Sequence, residues 1–111
     1  MINYEYYISL VGEASSLPTV EQLIGDMGYP MNMPENGEDY VKMMNIIFAV
    51  ANGSFKELVG LSGMKLTAFA RRFKLPYRSA QSWIYGERTA PSYINQLIGY
   101  AMIGDIYAAE K

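Results

Sequence analysis

Residues 64–91, MKLTAFARRFKLPYRSAQSWIYGERTAP, decide how the rest of the chain is read. At helical spacing Leu66, Phe69, Ala70 and Phe73 fall within an arc of about 100°, with Arg71 and Arg72 outside it, which predicts a short amphipathic helix. Lys74, Leu75 and Pro76 interrupt that period. It resumes over 77–85, with Ala80, Trp83 and Ile84 on one side and Tyr77, Arg78, Gln81, Ser82 and Tyr85 on the other. Two short helices joined by a tight turn follow, the second with an apolar back and a hydrogen-bonding front.

Working outward, Ser54 with Glu57 makes a capping box for a helix over 55–61, after a stop at Asn52-Gly53. The preceding segment, 38–51, is apolar over most of its circumference, which predicts a central helix in the core or in a dimer interface. Before it, Pro30, Pro34, Asn36 and Gly37 make 29–37 a loop. Thr19 and Gln22 form a first capping box for a helix over 20–27, ended by Gly28. Residues 3–14 place Tyr4, Tyr7, Ile8 and Val11 on one helix face. On the C-terminal side, Pro91 opens a last helix with Tyr93, Ile94, Leu97, Ala101 and Ile98 turned inward, ending near Gly104. No stretch alternates long enough for a strand. The expected fold class is all-α, a compact bundle of about six helices, with an acidic N-terminal region (1–52), a helix-turn-helix unit (53–103) and a short tail (104–111).

Composition narrows the chemistry. The chain has 111 residues, half of them apolar, enough for one core. It contains no Cys and no His, so disulfides, thiolate or imidazole zinc sites, Cys nucleophiles and Ser-His arrangements are excluded. Asp26, Glu35, Glu38 and Asp39 lack the alternating oxygen ligands of a calcium loop and read as loop and helix-start charges. No metal and no cofactor is expected, and no catalytic constellation is recognisable among the remaining polar residues. The N-terminus lacks the basic start of a secretory signal and the longest apolar run, 46–51, is far short of a membrane span, so a cytoplasmic protein with no membrane partner is expected.

The net charge is −2, but its distribution is uneven. Residues 1–52 hold one Lys against seven acids, whereas residues 64–91 hold six bases (Lys65, Arg71, Arg72, Lys74, Arg78, Arg88) against Glu87 alone. Such an asymmetry fits an electrostatic footprint on phosphate, with the acidic half turned away.

Residues 54–103 resemble the helix-turn-helix domain of Cro and the phage repressors. The likeness lies in the capped segment from Ser54, the small Ala70 under the helix crossing, Leu75 in the turn, Ala80 and Trp83 at the two core positions, and the tail Trp83-x-x-Gly86-x-Arg88-x-x-Pro91. More narrowly, 74–98 resembles short helix-turn-helix proteins of Gram-positive bacteria and their mobile elements, with a Pro-Tyr-Arg triplet opening the second helix. The pattern departs at Lys74, where Gly is usual and a left-handed conformation is required, at Leu66, where a phosphate-contacting Gln is frequent, and at Ile84, where Glu is common. The resemblance implies a lambda-repressor-like fold and a second helix that lies in the major groove of double-stranded DNA. Base readout would fall to Tyr77, Arg78, Gln81, Ser82 and Tyr85, with Arg78 suited to guanine and Gln81 to adenine. Backbone contacts would fall to Arg88, Thr89 and Ser92, with added charge from Arg71, Arg72 and Lys74. Specificity from so small a reader implies a homodimer on a two-fold site.

A competing expectation is a helix-turn-helix scaffold kept for protein contact, as in an antitoxin or phage-encoded inhibitor. The acidic first half and the departures at Leu66 and Ile84 support it.

Overall fold

Tyr40, Met43, Met44, Ile46, Ile47, Ala49 and Val50 are all buried along one helix, α3 (Gly37–Ala51), and so many buried positions demand neighbours on several sides. The structure is a computed structural model that describes residues 1–28 and 33–109. In it α3 is packed by α1 (Tyr4–Ala14), α2 (Val20–Met27), α4 (Phe55–Ser62) and α7 (Ser92–Ala109). Its expected place at the centre of the core is thus observed. Residues 29–32 of the expected loop and the last two residues lie outside the described residues.

Local chemistry sets the helix ends. The Asn36 side-chain oxygen accepts from the amides of Glu38 (2.8 Å) and Asp39 (3.4 Å), satisfying donors that the first turn cannot pair. Thr19 caps α2 and Ser54 caps α4 through side-chain oxygens that accept the Gln22 and Glu57 amides, both at 3.2 Å. Asn3 does the same for α1, accepting from Tyr6 at 2.8 Å. Two further helices, α5 (Leu66–Arg72) and α6 (Tyr77–Ile84), complete a chain of seven, with no strand among the described residues. The expected number was about six; the seven observed are the seven segments expected one by one, so the rounded total was one too low.

The acidic first half is no appendage, because it builds the platform for α7. The Tyr7 hydroxyl donates to the Gln96 carbonyl at 2.7 Å and the Tyr100 hydroxyl to the Ile2 carbonyl at 2.8 Å. The Tyr4 ring meets Tyr100 edge to face at 5.2 Å. Burial of the Tyr7 phenol, helped by the neighbouring Tyr4, pushes its pKa far above the ordinary phenol value.

Helix α7 corrects two expectations. It does not stop near Gly104 but runs to Ala109, carrying Ile106 into the core, so residues 104–109 are helix and not tail. Its inward face is also rotated from the expected one: Asn95, Ile98, Gly99, Met102, Ile103 and Ile106 are buried, whereas Tyr93 and Leu97 are 60% and 54% exposed. Gly99 accounts for the rotation. A Cβ there would stand 2.5 Å from Tyr7 Oη and 2.5 Å from Val50 Cγ2, so only glycine lets α7 lie this close to α1 and α3. Among the described residues neither side-chain amide atom of buried Asn95 has a hydrogen-bond partner.

Candidate nucleic-acid interface

The back of the unit formed by α5 and α6 is anchored by aromatic packing. Phe69 is fully buried, edge to face with Phe55 at 5.6 Å and tilted on Phe73 at 4.9 Å. Ala70 is buried beside it, and on α6 Ala80 is fully buried while half-buried Trp83 sets its indole edge to face on Phe55 at 5.1 Å. Leu66 and Ile84 are half-buried against the same core, so Ile84 turns to its own chain.

The turn between α5 and α6 comprises four residues, 73–76. Lys74 has φ 56° and is the one non-glycine with positive φ among the described residues, as expected from the residue standing where glycine is usual. The Leu75 amide reaches back to the Ala70 carbonyl (2.9 Å) and the Lys74 amide to Arg71 (3.4 Å), a Schellman closure of α5. Pro76 then opens α6, its carbonyl accepting the Ala80 amide at 3.0 Å. Gly86, at φ 78°, ends α6 in the same way, with the Glu87 amide on the Ser82 carbonyl at 3.0 Å.

Between these fixed ends the front of α6 is free. Tyr77, Arg78 and Tyr85 are exposed, and Gln81 and Ser82 are half-exposed on the same side. Arg88, Thr89 and Ser92 are exposed beyond Gly86, with buried Ala90 pinning the link between α6 and α7. Arg71, Lys74, Arg78 and Arg88 have no ion-pair partner among the described residues. Their charges are therefore available to a ligand.

Arg72 is different. Its guanidinium forms a two-pronged pair with the Asp105 carboxylate, the Nη2 to Oδ1 limb measuring 2.8 Å, and stacks over the Phe73 ring at 5.0 Å. The hydrogen bond to Asp105 raises its pKa further, against a small opposing effect of burial. Arg72 was expected to add charge toward phosphate; Asp105 neutralises it from α7, 33 residues away in sequence. Sequence reasoning had no access to that contact. It also missed the outward Tyr93 and Leu97, because α7 is apolar on nearly every side and its periodicity names no single face.

Among the described residues no group of acidic side chains could hold a metal ion, and no helix is long and apolar enough to cross a membrane. No family model matches the chain, and neither a curated protein nor a solved structure matches it.

Proposed function

We propose that residues 64–91 form a DNA-reading helix-turn-helix and that the protein binds double-stranded DNA sequence-specifically, as a cytoplasmic transcriptional regulator of a bacterium, phage or mobile element. The observation that carries this reading is the division of α6, whose back is locked by Ala80 and Trp83 while its front holds Tyr77, Arg78, Gln81, Ser82 and Tyr85 at the surface. A rigid helix with an exposed arginine and amide is suited to base edges, with Arg78 bidentate on guanine and Gln81 on adenine. The unpaired Arg71, Lys74 and Arg88 flank it and, with Thr89 and Ser92, supply phosphate contacts. The likeness of residues 54–103 to Cro and the phage repressors, including the strained Lys74 in the glycine position, supports the same reading.

Two copies would be needed for a useful site, and four helices of its own chain cover most of the apolar surface of α3. The exposed Tyr93 and Leu97 favour α7 as the dimer contact. The same two residues, with 70% exposed Tyr85, are what favours the second reading, a scaffold that binds another protein through an apolar and aromatic surface.

Selection from a pool of random duplexes at two salt concentrations separates the readings, with wild type compared to the Arg78→Ala, Gln81→Ala double variant. DNA reading requires an enriched motif, affinity that falls steeply with salt, and loss of sequence preference beyond loss of affinity in the variant. A folded protein that enriches nothing at low salt refutes it.

A further inference from the structure

Away from the front of α6, a cavity of about 280 Å³ opens between α3, the ends of α4 and α5, and the C-terminal half of α7. Buried Ile46, Met102 and Ile106 line it, and half-buried Leu61, Met64 and Phe73 turn apolar surface toward it. A cleft at the small end of the range of ligand pockets, lined by both apolar and polar side chains, suits a small molecule with both kinds of group.

The polar groups define which molecule. Five polar side chains line the cavity, and three of them are already satisfied. Arg72 and Asp105 neutralise each other, and the Ser62 hydroxyl donates to the Val59 carbonyl (2.5 Å) while accepting the Met64 amide (3.0 Å). Asp39 and Lys42 remain. They stand three residues apart on α3, at a spacing that puts Cβ atoms roughly 5–6 Å from each other. Neither charged group has an ion-pair or hydrogen-bond partner among the described residues. The edge of an apolar cavity therefore offers one free anion and one free cation side by side.

We propose that this cavity binds a free α-amino acid with a large apolar side chain, its ammonium on Asp39, its carboxylate on Lys42 and its side chain against Ile46, Met102 and Ile106. An α-amino acid is the simple ligand class that carries adjacent opposite charges on the atom from which an apolar group projects. A fatty acid or an aliphatic amine matches only half of the edge. The site uses none of the residues on the front of α6, and its occupancy stands or falls independently of DNA binding.

Calorimetric titration of the full chain with L-leucine, L-methionine and L-phenylalanine tests the proposal, with glycine, 4-methylpentanoate and 3-methylbutylamine as comparison ligands. For a ligand of this size saturation with Kd on the order of 1 mM is expected, so titration runs to about ten times that. Glycine should not saturate, and each single-charge analogue should bind roughly five-fold more weakly, as should the matching amino acid on Lys42→Ala or Asp39→Asn, since pairs at an exposed edge are modest. Ala109→Trp, at an exposed lining position, should abolish binding without touching the core. The proposal is overturned by the absence of saturation with every amino acid, by analogues that bind as tightly as their parent, or by an Ala109→Trp protein, folded by circular dichroism, with undiminished affinity.

Discussion

Gly99→Ala is the substitution on which the placement of α7 is most exposed to test. In an open helix the change would stabilise by about 1 kcal/mol, because alanine restricts the unfolded chain and suits the helix. Here the new Cβ would stand 2.5 Å from both Tyr7 Oη and Val50 Cγ2, where unstrained carbon contacts lie about 3.5–4.0 Å apart. Overpacking on that scale costs roughly 1–3 kcal/mol. Displacing the Tyr7 ring also threatens its 2.7 Å bond to the Gln96 carbonyl, and an unpaired buried hydroxyl costs a further ~1–3 kcal/mol. After the propensity gain, a net loss of roughly 1–5 kcal/mol is expected. Gly104→Ala is the control on the same helix, where the nearest atom would be Met1 Cε at 3.5 Å, an ordinary contact, and a gain of up to about 1 kcal/mol is expected. Urea unfolding followed by circular dichroism reads both, with the m-value watched for changes in the denatured state. A Gly99→Ala protein as stable as wild type, or two alanine variants that behave alike, would refute the close approach of α7 to α1 and α3. It would also remove the reason why Tyr93 and Leu97 face outward.

Asn95→Leu replaces a buried amide that has no partner among the described residues with an apolar group of similar size, and urea unfolding should show a gain of about 1–3 kcal/mol; a loss would mean that the amide has a partner. For Tyr7 the folded-state pKa is raised, so the stability it contributes is intact below the unfolded phenol value near pH ~10 and is lost as pH rises from there through the folded value. The stability advantage of wild type over Tyr7→Phe should therefore shrink by roughly 1.4 kcal/mol between pH ~8 and ~11, and an advantage unchanged over that range would show the hydroxyl to be solvated. If DNA binding is confirmed, Arg88→Ala should lower the salt slope by about one unit, whereas Arg72→Ala should leave it nearly unchanged because Asp105 already neutralises the charge. Equal effects would show that Asp105 releases Arg72 to phosphate.

What could be read from the chain before its structure was local. Thr19 and Ser54 announce helix starts because a hydroxyl within reach of the third following amide needs no distant partner. Lys74 announces a left-handed residue only through the resemblance, because it stands where the resembled turn usually has glycine, and its φ is 56°. The front and back of α6 follow from one apolar stripe over 77–85, and a single stripe has one reading. Helix α7 has no such stripe. Its apolar residues permit several rotations, and the one adopted is chosen by Gly99 against Tyr7 and Val50, from segments remote in sequence. Gly104 looked like a stop for the same reason: a glycine that ends a helix and one packed beside Met1 are locally identical.

The same distinction separates the two sites. The proposed DNA face depends on contiguous residues, so its chemistry was visible in the string 77–85. The cavity at Asp39 and Lys42 depends on four separated segments, and on α3 alone those two residues are an ordinary charged pair at a helix start. They become an edge only because α7 continues past Gly104, adding Ile106 and Ala109 to a lining that already holds Met102, and because Arg72 is occupied by Asp105. Removing that occupation tests the dependence directly. In Asp105→Asn the freed Arg72 guanidinium would add a second cation to the lining, so the single-charge carboxylate 4-methylpentanoate should gain affinity relative to leucine. A ratio between those two ligands unchanged from wild type would show that the charge state of Arg72 does not govern the cavity.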